Sequence, residues 1–289
     1  MKKILYILLL FSCSVFSQHE TMLLLSQQQY NNESSGSSFT AEYQAVLDEA
    51  TAQGYTLPSA PDQIIQNARI ISAIASGVWA LTDWISVFTE NGSKEFKMIN
   101  WKNPSQTKAS PYTGSGGGTS GDLVNFINSN TGITSDGVHW LNLYNPTSAS
   151  SNFLLNDAGA YVNIITASVS LKMILSSAGS INGTIKMTQL NSSESVRLNS
   201  STPQVFDFVG ETGLLGLSRQ NATEVIASIN TTTTTLTDTS SSVSNSTISL
   251  WGHQWATPAD WTRGDSKIGY VIIGADMSSK LTDIKNAFD

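Results

Sequence analysis

Near the C-terminus the chain reads WGHQWATPADWTRGD, residues 251–265, and these residue types at this spacing could recognise a sugar. Trp255 and Trp261 bracket a proline-bearing turn, with His253, Asp260 and Arg263 beside them. Apolar sugar faces stack on indole rings while neighbouring polar side chains take the hydroxyls. The same tryptophans could instead fold back and plug one end of a β-domain, since tryptophan is mostly buried on average. In either case Ile248 and Leu250 should end a strand on one face, with Trp251 on the opposite face.

Catalysis is poorly provided for. A retaining glycosidase on a β-sandwich places its two acids at alternate positions of one strand, so that both face the substrate. No strand-like run here does so. Glu194, Glu211 and Glu224 stand alone, and Asp48-Glu49 is an adjacent pair in a helical stretch. There is no G-x-S-x-G elbow, and His139 and His253 read as packing or surface groups. The glycine-rich run at 113–121 lacks the Lys-Ser/Thr of a phosphate cradle and reads as a turn. Zinc lacks convergent ligands, because only His139 and His253 remain once His19, near the mature start, is set aside. Calcium is the one ion left open, through Asp136, Asn142, Asn145 and Asp157, which are equally ordinary turn residues. No catalytic residue and no resident metal or cofactor is therefore expected.

The surface implied by composition agrees. Of 289 residues only 13% are charged, the net charge is −7, and Ser, Thr, Asn and Gly fill the remaining polar positions. That profile suits a β-protein facing water. Without a basic stripe there is little to neutralise phosphates, which argues against nucleic acid. A glycan, another neutral cell-surface polymer, or further copies of the same chain are better-matched partners.

The N-terminus, MKKILYILLLFSCSVFSQ, has the form of an export signal. Lys2 and Lys3 precede an apolar stretch, Ile4 to Phe11, that is too short to span a bilayer. Val15 and Ser17 suit a cleavage that releases the chain from Gln18. The competing site, acylation of Cys13, is disfavoured by the bulky Phe11 before it. Cys13 is the only cysteine, so the cleaved chain would hold no disulfide. The expectation is an exported protein, secreted or at the cell surface, with no transmembrane segment once the signal is removed.

Residues 18–39 read as a polar linker, and residues 40–78 as a leader of two helices. In the first, Thr40 caps the start, Tyr43, Val46, Leu47 and Ala50 share the buried face, and Gly54 ends it. In the second, Ser59 caps, Pro61 lies in the first turn and Gly77 ends the helix; Ile64, Ile65, Ala68, Ile71 and Ile74 are its expected buried face. From 79 to 289 the pattern turns to short β-prone runs. A hairpin is expected at Asn91-Gly92, and strands in VHWLNLYN, AYVNIITASVSLKMIL, GTIKMTQL, SVRLNS, QVFDFVG, LLGLSRQ, EVIASIN, STISLWG and KIGYVIIG. That count and spacing indicate two packed sheets. A short helix starting at Ser278 or Ser279 closes the chain, with Leu281, Ile284 and Phe288 on one face.

Three stretches, GVHWLNLYNPTSASSNFLLNDAGAYVNI, GLLGLSRQNATEVIASIN and KIGYVIIGADMSSKLTDIKNAF, occur in that order. Together they resemble the concanavalin A-like (laminin G-like) sandwich domains of bacterial secreted proteins and phage virion proteins. The preceding LDEATAQGYTLPSAPDQIIQNARII resembles a helical leader found before such domains. The resemblance covers residues 41 to 289 and implies an antiparallel two-sheet jelly roll. It implies no single function, because that fold hosts lectins, glycosidases, adhesion modules and capsid parts. The leading expectation is a non-enzymatic exported protein that binds glycans or mediates adhesion. A phage-derived virion or fibre component comes second, disfavoured by the export signal. A glycoside hydrolase lacking the usual acids comes third.

Overall fold

The helix starts are set by hydroxyl caps. Thr40 Oγ1 accepts from Tyr43 N at 3.3 Å and begins α1 (Ala41–Ala52), which buries Tyr43, Val46, Leu47 and Ala50 as expected. Ser59 Oγ accepts from Asp62 N and begins α2 (Ala60–Ala75), with Pro61 in its first turn. A one-turn helix α3 (Val78–Leu81) then leads into the first strand. The computed structural model describes residues 39–105, 109–113, 126–135, 139–146, 152–167, 172–177, 184–189, 196–202, 204–243, 247–251 and 266–289. Thr40–Asp289 forms one compact unit.

Two antiparallel sheets make the body. The eight-stranded sheet runs in the order β12 (Thr232–Thr237), β11 (Glu224–Ile229), β10 (Gly213–Arg219), β6 (Ala158–Thr166), β14 (Lys267–Gly274), β4 (Gly132–Ser135) and β3 (Phe126–Ser129). Strand β1 (Thr82–Val87) also pairs with β14, alongside β4. The six-stranded sheet runs β2 (Ser110–Thr113), β5 (His139–Tyr144), β13 (Ile248–Leu250), β7 (Lys172–Ser177), β8 (Thr184–Gln189) and β9 (Val196–Ser200). The core lies between them. Ala160, Val162 and Ile164 of β6, Val271 and Ile273 of β14, and Leu215 and Leu217 of β10 meet Leu141, Leu143, Ile174, Ile185, Met187, Leu198 and Leu250 from the other sheet. This is the expected two-sheet antiparallel sandwich with a helical leader. It closes with a 3-10 turn, Ser278–Lys280, and a helix α5 (Leu281–Phe288) that buries Leu281, Ile284, Ala287 and Phe288.

The other face of the eight-stranded sheet is covered by helix. Alternation puts Tyr161 and Asn163 of β6, Ser218 of β10 and Tyr270 of β14 on it. The Phe288 ring of α5 packs on Tyr270 at 5.4 Å between centroids, and α2 packs against α5. Gly216 is required here, since a Cβ would stand 2.4 Å from the Tyr161 ring.

Ser218 and Arg219 divide this edge between the two faces. Ser218 Oγ bonds the Tyr161 hydroxyl at 2.6 Å and also Asp276. Arg219 points inward and is fully buried, pairing with Asp238 at 2.7 Å. At the same strand end, across β6 and β14, Asp83 accepts from Asn152 N, Phe153 N and the Tyr144 hydroxyl, at 2.8, 2.9 and 3.1 Å. Three donors on one carboxylate tie Tyr144, Asn152 and Phe153 to the start of β1.

Several expectations are corrected. The helix α2 buries Gln66, Asn67, Ile70 and Ala73, and leaves Ile65, Ile71 and Ile74 exposed at 46, 41 and 41%. Ala68 is exposed and Ile64 half-buried, so the expected face is turned outward. The reason is specific bonding. Gln66 Oε1 accepts from the Tyr43 hydroxyl at 2.8 Å, and Asn67 Oδ1 accepts from Thr40 N and Oγ1. No hairpin forms at Asn91-Gly92. Ser93 caps a one-turn helix α4 (Lys94–Lys97), and β1 pairs with the distant β14. The stretch QVFDFVG is not a strand; apart from a bridge at Gln204 it is irregular, with Phe206 and Phe208 stacked edge-on at 4.8 Å. Trp251 adopts a left-handed backbone, φ 60°, which turns its ring into the core with Ile248 and Leu250. There it packs on Phe126 and donates to Ser266 O at 3.0 Å. Strands β2, β3, β4 and β12 lie outside the runs named from the sequence.

Candidate functional site

His253, Trp255, Asp260, Trp261 and Arg263 lie outside the described residues, and so does Asp136 of the calcium candidates. The other three candidates for calcium are Asn142, Asn145 and Asp157. Asn142 Oδ1 accepts from Ser249 Oγ and Trp140 Nε1, Asp157 Oδ1 accepts from Asp276 N, and Asn145 is exposed. Among the described residues no group of three or more His, Cys, Asp or Glu is placed to hold a metal ion. Nor is any described helix long and apolar enough to cross a membrane.

A cleft of about 520 Å³ opens where α2, β6, β14 and α5 meet on the helix-covered face. One wall is built from Arg69 of α2 and the residues after β1. Arg69 Nη1 donates to Glu90 Oε2 at 2.5 Å and to Thr89 Oγ1 at 3.0 Å, and Thr89 Oγ1 donates to the same carboxylate oxygen at 2.9 Å. Glu90 holds φ at 60°, a left-handed conformation that costs a non-glycine residue free energy. Its N–H is satisfied by Asn130 O at 2.8 Å. This corner is thus over-determined by backbone and side-chain bonds together, and both partners are about one-tenth exposed.

The opposite wall centres on Asp289. Its Oδ1 accepts from the Tyr270 hydroxyl at 2.8 Å and from Asn163 Nδ2 at 3.2 Å, and its Oδ2 accepts from Lys285 Nζ at 2.5 Å. Burial pushes the Tyr270 phenol well above its usual range, and the adjacent Asp289 carboxylate adds to this. Tyr270 is therefore a fixed donor at any physiological pH. The floor is part apolar, with Ile165 exposed to 42% beside Thr212 and Gly213. At the rim Lys267 donates to Thr131 Oγ1.

Gly269 shapes this floor without lining it. It is the extra residue of a bulge in β14, where the register with β6 shifts between Ile268 and Tyr270. A Cβ there would stand 2.5 Å from Asn163 Oδ1, a buried atom with no hydrogen-bond partner. Gly269→Ala should therefore displace Asn163 and cost about 1–3 kcal/mol of stability, the usual range for overpacking. Denaturant unfolding of the variant checks this.

Chemically, the cleft offers donors and acceptors of both signs around a small apolar patch. Each carboxylate is already paired with a cation, Glu90 with Arg69 and Asp289 with Lys285. Such a surface suits hydroxyl groups, which donate and accept together. Among the described residues no aromatic face is open to it, because Tyr270 and Phe288 are each 1% exposed. The sequence reading missed this site.

No family model matches the sequence, and none of the curated proteins matches it. Among solved structures, the chain is similar to domain 4 of AbnA, a GH43 extracellular arabinanase from Geobacillus stearothermophilus, in complex with arabinotriose. That match has 14% identity, 71% of this chain and 98% of that one covered, and a TM-score of 0.43. The botulinum neurotoxin serotype D binding domain matches at 14% identity over 73% and 51% of the two chains, TM-score 0.40. Trypanosoma rangeli sialidase in complex with sialic acid matches at 9% over 77% and 38%, TM-score 0.44.

Proposed function

We propose that this is an exported, non-enzymatic protein whose sandwich, of the concanavalin A-like type, binds a neutral glycan or related cell-surface polymer. In this reading the cleft between Arg69, Glu90, Asn163 and Ile165 holds sugar hydroxyls. What supports it is the Arg69–Glu90 corner, a fixed donor–acceptor pair held in a strained backbone at the wall of an open cleft. Strain of this kind persists only where surrounding structure over-determines it, and it clusters at binding sites. Paired charges of both signs disfavour a strongly anionic ligand and leave a neutral polyol as the fitting class. Export rests on residues 1–17, and the absence of catalysis on the missing strand-borne acid pair.

The test is a neutral-glycan array probed with the chain beginning at Gln18, followed by the Glu90→Gly variant. Glycine adopts φ 60° without cost, so the substitution removes the carboxylate while keeping the backbone. Losing a charged hydrogen bond to ligand costs about 1.5–3 kcal/mol, so affinity should fall by about ten- to a hundredfold. No binding across the array, or unchanged affinity in the variant, would refute the assignment of this cleft.

A further inference from the structure

We propose that β12 pairs antiparallel with the β12 of a second copy of this chain, about a twofold axis at Thr235, joining two eight-stranded sheets into one. The strand is the last of its sheet, and among the described residues no strand lies on its outer edge. Its register with β11 is unbroken from Glu224↔Thr237 to Ile229↔Thr232. Thr232, Thr233, Thr234, Thr235 and Thr237 are all exposed. Sheet edges of monomeric proteins are usually blunted by a charge, a proline or a bulge. The stretch TTTTLT has none of these.

The hydrogen-bonding phase favours self-pairing. Asn230 and Thr231 form a two-residue turn, with Asn230 at φ 56°, so Ile229 and Thr232 exchange the first ladder bonds. The phase then repeats every second residue, and Asp238 N reaches Thr223 O at 2.8 Å in step with it. Thr232, Thr234 and Leu236 therefore bond to β11, while Thr233, Thr235 and Thr237 turn their N–H and C=O groups to the open edge. A twofold axis through Thr235 sets it opposite its own copy and sets Thr233 opposite Thr237. Every outward group then meets a partner; the pairs at 235 with 235 and 233 with 237 are Thr with Thr, a favourable cross-strand combination, and Thr234 faces Leu236 of the copy. A chain of net charge −7 repels its copies over most of its surface, whereas this strand is neutral. One strand pair buries less than the roughly 1,200 Å² of a stable interface, so the dimer should form reversibly with concentration.

Sedimentation velocity of the chain beginning at Gln18, over a hundredfold range of concentration, tests this. Wild type should move from monomer towards dimer. Thr235→Lys sets two like charges opposite each other, and Thr235→Pro removes an N–H that β11 does not use. Both should stay monomeric at concentrations where wild type is largely dimer, with melting curves close to wild type, while Gln53→Lys, on α1's far end, should dimerise normally. Should either variant fold poorly, amide exchange of wild type decides. Thr233, Thr235 and Thr237 should be protected at high concentration and not at low. A wild type that remains monomeric throughout, variants that dimerise like wild type, or edge amides indifferent to concentration would each overturn the pairing.

Discussion

Replacing Arg219 by methionine should remove about 3–5 kcal/mol of folding stability, the usual result of leaving one buried charge without its partner. Arg219 and Asp238 are both fully buried, and each is held by more than the other. Arg219 Nε donates to Leu198 O at 2.9 Å, Nη1 to Asp238 O at 2.8 Å, and Nη2 to Asp238 Oδ2 at 2.7 Å. Asp238 Oδ1 accepts from Ser200 Oγ at 2.5 Å. The bonds tie β10, the end of β12 and β9 of the other sheet, so they clasp the sandwich at one edge. Burial lowers the Arg219 pKa and raises that of Asp238, the direction in which each alone would sooner be neutral. Asp238→Leu alone should cost about as much as Arg219→Met. The double variant should recover most of the loss, because no charge is then left stranded. A double-mutant cycle by urea unfolding measures the coupling, and strictly additive losses would show that the pair does not act as a unit.

Stability should also rise with pH between about 8 and 10, which is unusual for a protein of this charge. Lys97 is 1% exposed, with Nζ donating to Phe88 O at 2.8 Å and Ser129 O at 2.9 Å. Burial pushes its ammonium down from 10.5 to about 8, despite the opposing pull of Glu90 and Asp62. Between those two values the unfolded chain keeps the proton and the folded chain sheds it. The unfolded state then binds more protons, so stability increases with pH. At about 1.36 kcal/mol per pH unit the gain by pH 10 is about 2–3 kcal/mol. Lys102, lowered by burial as well, adds in the same direction. Above about pH 10 the sign reverses. Burial raises the phenols of Tyr43, Tyr161 and Tyr270, so the unfolded chain ionises first and stability falls. Unfolding at constant ionic strength should show a maximum near pH 10 that Lys97→Met largely flattens. An unchanged profile in that variant would remove Lys97 as the cause.

Much of this architecture is legible in the sequence, and the exceptions share a cause. Thr40 and Ser59 announce their helices because capping is local chemistry. The β-runs announce their sheets because alternation and turn residues are local too. The helix α2 is misread because periodicity weighs residue types and not partners. Gln66 and Asn67 can be buried only because Tyr43 and Thr40 bond them, and no count of apolar spacing contains that. Trp251 is misread because one left-handed residue reverses the side a strand pattern assigns. Strand β12 escapes notice because a threonine run exposed on both faces has no apolar alternation to find. The cleft is harder still. Its residues come from positions 69, 89–90, 130–131, 163–165, 212–213, 270 and 288–289, and only the pairing of β6 with β10 and β14 brings them together. One clue was present: Glu90 precedes Asn91-Gly92, a pair that marks left-handed backbone, although the turn it serves is not a hairpin.

Binding of sugar hydroxyls at the Arg69–Glu90 corner, as proposed, can be read residue by residue with heteronuclear NMR. The isotopically labelled chain from Gln18 would be titrated with a neutral oligosaccharide series. Saturable shifts are predicted for the Arg69 guanidinium, the Glu90 amide, the Ile165 methyl groups and the Thr212 amide. Saturable shifts confined to residues 253–263, with the cleft signals unmoved, would overturn this assignment and move the site to the tryptophan loop.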